Sequence, residues 1–437
     1  MDNKDLICEN LSVSEDGILY FAGQSTAQLA KEYGTPLYLM DEDRIRHNIR
    51  TYVAGMKKAF GDYGHILYAS KAASFKRIYE IAADENIGID VVSCGEIATA
   101  VKAGFPLENA YFHSNNKTDA DIRYAMEKGI GCFVVDNADE LYALNAIAGE
   151  LGICQNLLLR ITPGIDPHTY AAVNTGTVDS KFGSAIETGQ AEAITKLALE
   201  LPNITLQGFH CHVGSQVFDA QVPLQTAEIM VGFVRDMYQK LGFAAKKLDL
   251  GGGYGVRYTR NDPFIDIESN LMTVGKRICE LVAQYHIPMP HIYMEPGRSI
   301  VADAGMTLYT MGTLKTIPGY KSYVSVDGGM TDNPRYLLYG SSYTLLPATR
   351  MLEDKNMSCS VVGRCCESGD IIQERVRMPG TLKRGDLIAC LTTGAYNYSM
   401  ASNYNRIPRP PVVMLSSGKS YVAVKRETPD DVTSLDV

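Results

Sequence analysis

Short apolar runs alternate with longer stretches of helical periodicity over the first 300 residues. The runs fall at 65–69, 89–93, 110–113, 132–136, 156–161, 206–212, 247–250 and 291–294. Between them, apolar positions recur at helical spacing over 74–85, 95–103, 119–128, 138–149 and 189–201. A short, wholly apolar strand followed by a helix marks a βα unit, and repeated units mean parallel strands joined by right-handed crossovers. Eight such units fit a closed (β/α)8 barrel of the TIM type better than an open sheet.

Beyond Gly305 the texture changes. Segments 324–326, 358–363, 386–391 and 420–424 read as strands punctuated by Gly and Pro. They predict an all-β domain over 306–437. Residues 17–21 add a strand near the start, so residues 1–35 are expected to complete that domain, making it discontinuous around a barrel over 36–305.

Composition narrows the function. The chain has 437 residues, a formal charge of −9 and no basic run, which argues against nucleic acid as a partner. There is no apolar run of membrane-spanning length, and the first residues lack the apolar core of a signal peptide. The ten cysteines form no CxxC pair and no compact framework, which points to reduced thiols and a cytoplasmic protein.

Chemistry-bearing residues gather just after the apolar runs, where barrel enzymes build their sites. Lys71 ends Tyr68-Ala-Ser-Lys71. A strand-end lysine is partly desolvated, and a neutral amine can form a Schiff base; alone, it reads first as a surface lysine starting a helix, and only its company below changes that. Gly251-Gly-Gly-Tyr-Gly255 follows a strand without the GK[ST] of a P-loop, so it is either a phosphate-binding backbone or a tight turn. Glu295-Pro-Gly-Arg298 offers a carboxylate able to keep a pyridine nitrogen protonated, or an exposed ion pair. His210-Cys-His212 puts two imidazoles on one strand face; no HExxH or cysteine cluster completes a metal site, so metal is not expected. In the β-region, Cys366-Glu-Ser-Gly-Asp370 sets a thiol beside a carboxylate, and Gly394-Ala-Tyr396 is polar and aromatic.

These segments, with Asp90-Val-Val-Ser93, His210-Cys-His-Val-Gly-Ser-Gln216 and Asp332-Asn-Pro-Arg335, resemble in residue type and order the alanine-racemase-like, barrel-type pyridoxal-phosphate decarboxylases (fold type III). The likeness runs from about Pro36 to Leu415, and is strongest to the branch acting on meso-diaminopimelate. It implies pyridoxal 5'-phosphate as cofactor and Lys71 as its Schiff-base lysine. It implies that His212 stacks on the ring and that Glu295 faces the ring nitrogen. Ser215, Gly253, Gly255, Pro296, Gly297, Arg298 and Tyr396 hold the phosphate side, with Asp90 and Arg160 as further contacts. Arg298, Arg335, Tyr339 and Tyr396 bind the substrate's far carboxylate, Glu367 takes its far amino group, and Cys366 donates the proton after decarboxylation. The resemblance also implies a homodimer in which Cys366 and Glu367 come from the partner subunit.

Arg298 and Arg335 argue against diamine-forming substrates such as ornithine and lysine, which have no distal carboxylate for a guanidinium to meet. Carboxynorspermidine decarboxylation, racemisation and a catalytically silent regulatory homologue are the other readings; retention of Lys71, His212, Glu295 and Cys366 argues against the last. Ala72-Ala73 and Asn397-Tyr398 depart from the usual continuations. The loop at 166–184, long and rich in Gly and Pro, is expected to close over the site.

Overall fold

The computed structural model describes residues 6–166 and 176–437. The middle of the loop expected to act as a lid, residues 167–175, lies outside the described residues, as do residues 1–5 of the expected β-domain.

The chain divides into two compact units, one made of residues 48–255 and 264–299, the other of 1–47, 256–263 and 300–437. In the first, eight parallel strands close on themselves: β1 (Gly64–Ala69), β2 (Gly88–Val91), β3 (Ala110–Phe112), β4 (Cys132–Val135), β5 (Gln155–Thr162), β6 (Ile204–His210), β7 (Lys247–Asp249) and β8 (His291–Met294). β8 pairs in register with β1, which completes the barrel. Each strand coincides with one of the apolar runs. Strands covered on both faces must be apolar throughout, and residues 132–135 are buried without exception. Leu67, Tyr111, Cys132, Val134 and Leu158 fill part of the interior.

The helices between strands begin where the sequence caps them. Thr118 and Asp121 form a reciprocal capping box at the start of Asp119–Glu127. The side chains of Ser93 and Asn137 accept backbone N–H groups at the starts of Cys94–Lys102 and Ala138–Leu151. Such caps contribute about 1 kcal/mol each. They fix each helix start just past a strand's C-terminal end, where the polar clusters sit.

The second unit is mainly sheet. Its strand order is Ile371–Met378, Met357–Val362, Lys321–Val326, Gly305–Ile317, Leu37–Asp41, Val412–Ser416 and Lys419–Val424, with Leu387–Leu391 pairing Gly305–Ile317 and Leu345–Pro347. Leu37–Asp41 runs antiparallel to Gly305–Ile317 and parallel to Val412–Ser416, so a segment from near the start lies between strands from near the end. A three-stranded sheet of Leu11–Val13, Leu19–Phe21 and Gln24–Ser25 packs Leu19 and Phe21 into the same core as Leu308, Leu391 and Val413. The structure is therefore a (β/α)8 barrel with a discontinuous, mostly β domain, as the pattern predicts. Among the described residues no helix is long and apolar enough to cross a membrane.

Candidate active site

The C-terminal rim of the barrel gathers residues from most of its strands. β1 runs into a short 3-10 turn, Ser70–Ala72, whose buried Ser70 hydroxyl donates to the Asp90 carbonyl at 2.5 Å. That bond ties the end of β1 to β2. Lys71, on the same turn, is exposed. Asp90 is buried, and its Oδ1 has no hydrogen-bond partner among the described residues. Burial and the Glu295 charge push its carboxyl up to about 6 against the pull of His113 and Lys71.

Glu295, two residues past the register pairing of β8 with β7, is buried among histidines. Nε2 of His210 lies 3.0 Å from its Oε2, and Nε2 of His113 lies 2.7 Å from its Oε1. The three groups lie within 4.8 Å of one another, a spacing their mutual pairing explains. Burial alone would raise the Glu295 carboxyl, but His113 and His210 outweigh it and hold the group well below the ordinary carboxylate range. Glu295 is therefore an anion in a dry pocket. The 2.7 Å contact is misaligned for a hydrogen bond, so Oε1 keeps a lone pair without a proper donor.

The two histidines of His210-Cys-His212 separate in role. His210 turns to Glu295; His212 accepts the backbone N–H of Gly252 at its Nδ1 (3.3 Å), which leaves the proton on Nε2. Burial, then Lys71 and Arg160, hold the His212 imidazole well below its ordinary pKa, so it is neutral. Arg160 pairs in register with His210 and lays its guanidinium 4.3 Å from the Phe182 ring centroid.

The glycine segment is explained first by backbone crowding. A Cβ on Gly252 would lie 2.1 Å from the Glu295 carbonyl oxygen, and one on Gly253, which has φ +120°, 2.3 Å from that of Gly214. The loop after β7 also pairs with the loop after β6: Val217 donates to the Gly253 carbonyl and Gly255 to the Val217 carbonyl, each at 2.9 Å. Beside this pairing, Nε and Nη2 of Arg298 donate to the Ser215 hydroxyl at 3.2 and 3.1 Å. Pro296 accepts the Ala69 N–H at 3.1 Å, and Gly297 has no room for a Cβ against Ala69. Ser215, Gly253, Gly255, Pro296, Gly297 and Arg298 thus all belong to closely packed loops at one rim, with a guanidinium among them.

These residues fit a phosphorylated pyridine. Glycines, a hydroxyl and an arginine provide an anion cradle, Glu295 provides an anionic seat for a protonated ring nitrogen, and Lys71 provides an accessible amine.

In the sheet unit, Arg335 begins a short helix, Arg335–Tyr339. Its guanidinium is buried and lies between two tyrosines, 4.9 Å from the Tyr339 ring centroid and 5.1 Å from that of Tyr396. Its only hydrogen-bond contact among the described residues is Nη1 to Met400 Sδ at 3.9 Å; no carboxylate pairs with it, and its Nε has no partner. Tyr396 is held at φ +64°, a strained conformation for a bulky residue. Cys366 and Glu367 are exposed on the turn after Met357–Val362. The Cys366 N–H donates to Asn405 at 2.8 Å, and one Glu367 oxygen accepts from Ser368 and Gly369 at 3.3 Å.

Sequence reasoning left out His113 and Asp249 and gave His210 no role. The available signal was a titratable residue closing an otherwise apolar barrel strand, since Asp249 ends β7, His210 ends β6 and His113 follows β3.

The family described as pyridoxal-dependent decarboxylase, pyridoxal binding domain, matches residues 46–302. Diaminopimelate decarboxylase of Bacillus subtilis (strain 168) is 43% identical over 427 residues, covering 97% of this chain and 96% of the relative. The crystal structure of diaminopimelate decarboxylase from M. jannaschii in complex with L-lysine superimposes with a TM-score of 0.89 at 32% identity, covering 98% of each chain. A lysine/ornithine decarboxylase from Vibrio vulnificus, in complex with putrescine, gives 0.74 at 26% identity, covering 89% of this chain and 97% of that one. With the barrel, its rim residues and these likenesses in agreement, the chain belongs to the pyridoxal-dependent decarboxylases.

Proposed function

We propose that the protein removes carbon dioxide from meso-2,6-diaminopimelate to give L-lysine, the final step of lysine biosynthesis, with pyridoxal 5'-phosphate held by the barrel. The observation that carries the substrate is Arg335. A buried guanidinium with no carboxylate among the described residues, stacked on Tyr339 and Tyr396, is built to receive a planar anion. A diamine substrate would bring an ammonium to it and be rejected. The relatives named above for diaminopimelate support the same choice.

When bound, the cofactor supplies an electron sink for the pair left by the departing carboxylate. Lys71 would carry it, His212 would stack on its ring, and Asp90 and Arg160 would be further contacts. Ser215, Gly253, Gly255, Pro296, Gly297 and Arg298 would hold its phosphate side, joined by Tyr396. Glu295 would stabilise positive charge at the ring nitrogen. Arg335 and Tyr339, with Arg298 and Tyr396, grip the distal carboxylate, and Glu367 takes the distal ammonium. Gripping that end would fix the orientation of the substrate's reacting carbon, which is catalysis by orientation. Cys366 then returns a proton to the α-carbon.

The protein acts as a cytoplasmic homodimer that lends Cys366 and Glu367 to the partner's site. The exposure of both residues, and of Leu337 (43%) and Leu338 (53%) on the adjoining helix, supports this. Carbon dioxide release from meso-diaminopimelate, L-ornithine and L-lysine tests the reading. Release from meso-diaminopimelate alone is expected; release chiefly from a diamine overturns the assignment of Arg335.

A further inference from the structure

Asp249 ends β7 and is completely buried. One oxygen, Oδ1, accepts the Gly251 N–H at 2.8 Å, and the other has no hydrogen-bond partner among the described residues. No lysine, arginine or histidine forms an ion pair with it there. Its register partners are His210 on β6 and Tyr293 on β8, and Gly251, which donates to Asp249, accepts the Glu295 N–H at 2.8 Å, so the two acidic residues sit on adjoining strand ends.

Two carboxyl groups in one dry pocket cannot both be ionised without a counter-charge for each. The surroundings decide which one keeps the proton. Glu295 has His113 and His210 against its two oxygens. Arg160 on β5 and Asp90 on β2 interact with it electrostatically, with opposite sign. Asp249 has a single backbone N–H. Burial, then the Glu295 charge, push the Asp249 carboxyl well above its ordinary value, in the same sense as the geometry.

We propose that Asp249 is a positioning residue that stays a neutral carboxylic acid and donates its O–H toward Glu295. The donated hydrogen bond holds Glu295 in place and ionised, a seat for the ring nitrogen that does not take up the ring's proton. This rests on the role given to Glu295 above, although the protonation of Asp249 itself does not.

The test is infrared difference spectroscopy on the cofactor-loaded enzyme, wild type against Asp249→Asn, at pH 8. The comparison with Asp249→Asn isolates this one group, since the other buried carboxyls, Asp90 and Asp332 among them, are common to both proteins. A protonated-carboxyl carbonyl band present in the wild type and lost in Asp249→Asn is expected; no difference in that region overturns the proposal. Asp249→Asn keeps an N–H donor toward Glu295, whereas Asp249→Ala keeps none. Cofactor affinity, read by fluorescence titration, should therefore fall about tenfold or more in Asp249→Ala and be largely rescued in Asp249→Asn. Equal loss in both variants would also overturn it. A protein that shows the band yet releases no carbon dioxide would instead refute the proposed function while leaving Asp249 protonated.

Discussion

Asp370 closes the Cys366-Glu-Ser-Gly-Asp370 turn, and its removal should loosen the turn that carries the proposed proton donor. Its carboxyl is buried in a slot between Gly329 and Gly363, where a Cβ on either glycine would come within 2.5 and 2.3 Å of it. Oδ1 accepts the Met330 N–H at 2.6 Å and Oδ2 the Cys365 N–H at 2.7 Å. One side chain thus fastens the turn bearing Cys366 and Glu367 to the segment leading into Arg335. Asp370→Ala strands both N–H groups, each costing about 1–3 kcal/mol when it finds no acceptor, so a loss of roughly 2–6 kcal/mol is expected. Asp370→Asn keeps one acceptor and points an NH2 at the other donor, so it recovers at most about half. Urea unfolding reads the stability. Steady-state decarboxylation reads the position of Cys366 and Glu367, and kcat/KM should fall at least about tenfold, since small misplacements are costly in orientation-dependent catalysis. Full kcat/KM in an Asp370→Ala protein that has lost the expected stability would show that this carboxyl does not position the turn for chemistry.

Other changes test separate parts of the site. Lys71→Ala should abolish turnover and the absorbance of the lysine-bound cofactor; measurable turnover would remove Lys71 from its role. Lys117 and Glu140 form a buried ion pair at 2.7 Å, with Lys117 also donating to the Ser114 and Val134 carbonyls. Lys117→Met should cost about 3–5 kcal/mol, and adding Glu140→Leu should recover much of it in thermal or urea melts. Mixing Lys71→Ala with Glu367→Ala subunits should restore activity that neither has alone, and no restoration would argue against shared sites. For Asp332, burial raises the carboxyl to about 7 in the folded protein despite the Tyr309 and Gly329 donors. Its contribution to stability is therefore fully present below the unfolded value near 3.8 and is lost as pH rises through about 7. Asp332→Asn should flatten that part of the stability–pH curve; an unchanged slope would mean Asp332 does not titrate there.

Much of the barrel was legible because a parallel strand covered on both faces has to be apolar from end to end, and a helix start has to find a cap. Segments such as 132–136 and 247–250 therefore announce themselves, and the polar residues that follow mark the functional rim. The sheet unit was harder. Ile371–Met378 carries Glu374, Arg375 and Arg377, and only its pairing with Met357–Val362 makes it a strand. Leu37–Asp41 is buried throughout, like a barrel strand, yet nothing in five residues says which sheet it joins; its partners, Gly305–Ile317 and Val412–Ser416, lie hundreds of residues away.

The site divides in the same way. Residue types and their order are plain along the chain: the lysine, the glycines, the carboxylates and the arginines. Their charges and partners depend on the assembled fold. His113, His210, Asp249 and Glu295 come from four different strands or their ends, and barrel closure brings them into one dry pocket. There, burial and the number of donors around each carboxyl determine which one ionises, a property that belongs to the assembled pocket and to none of the four residues alone.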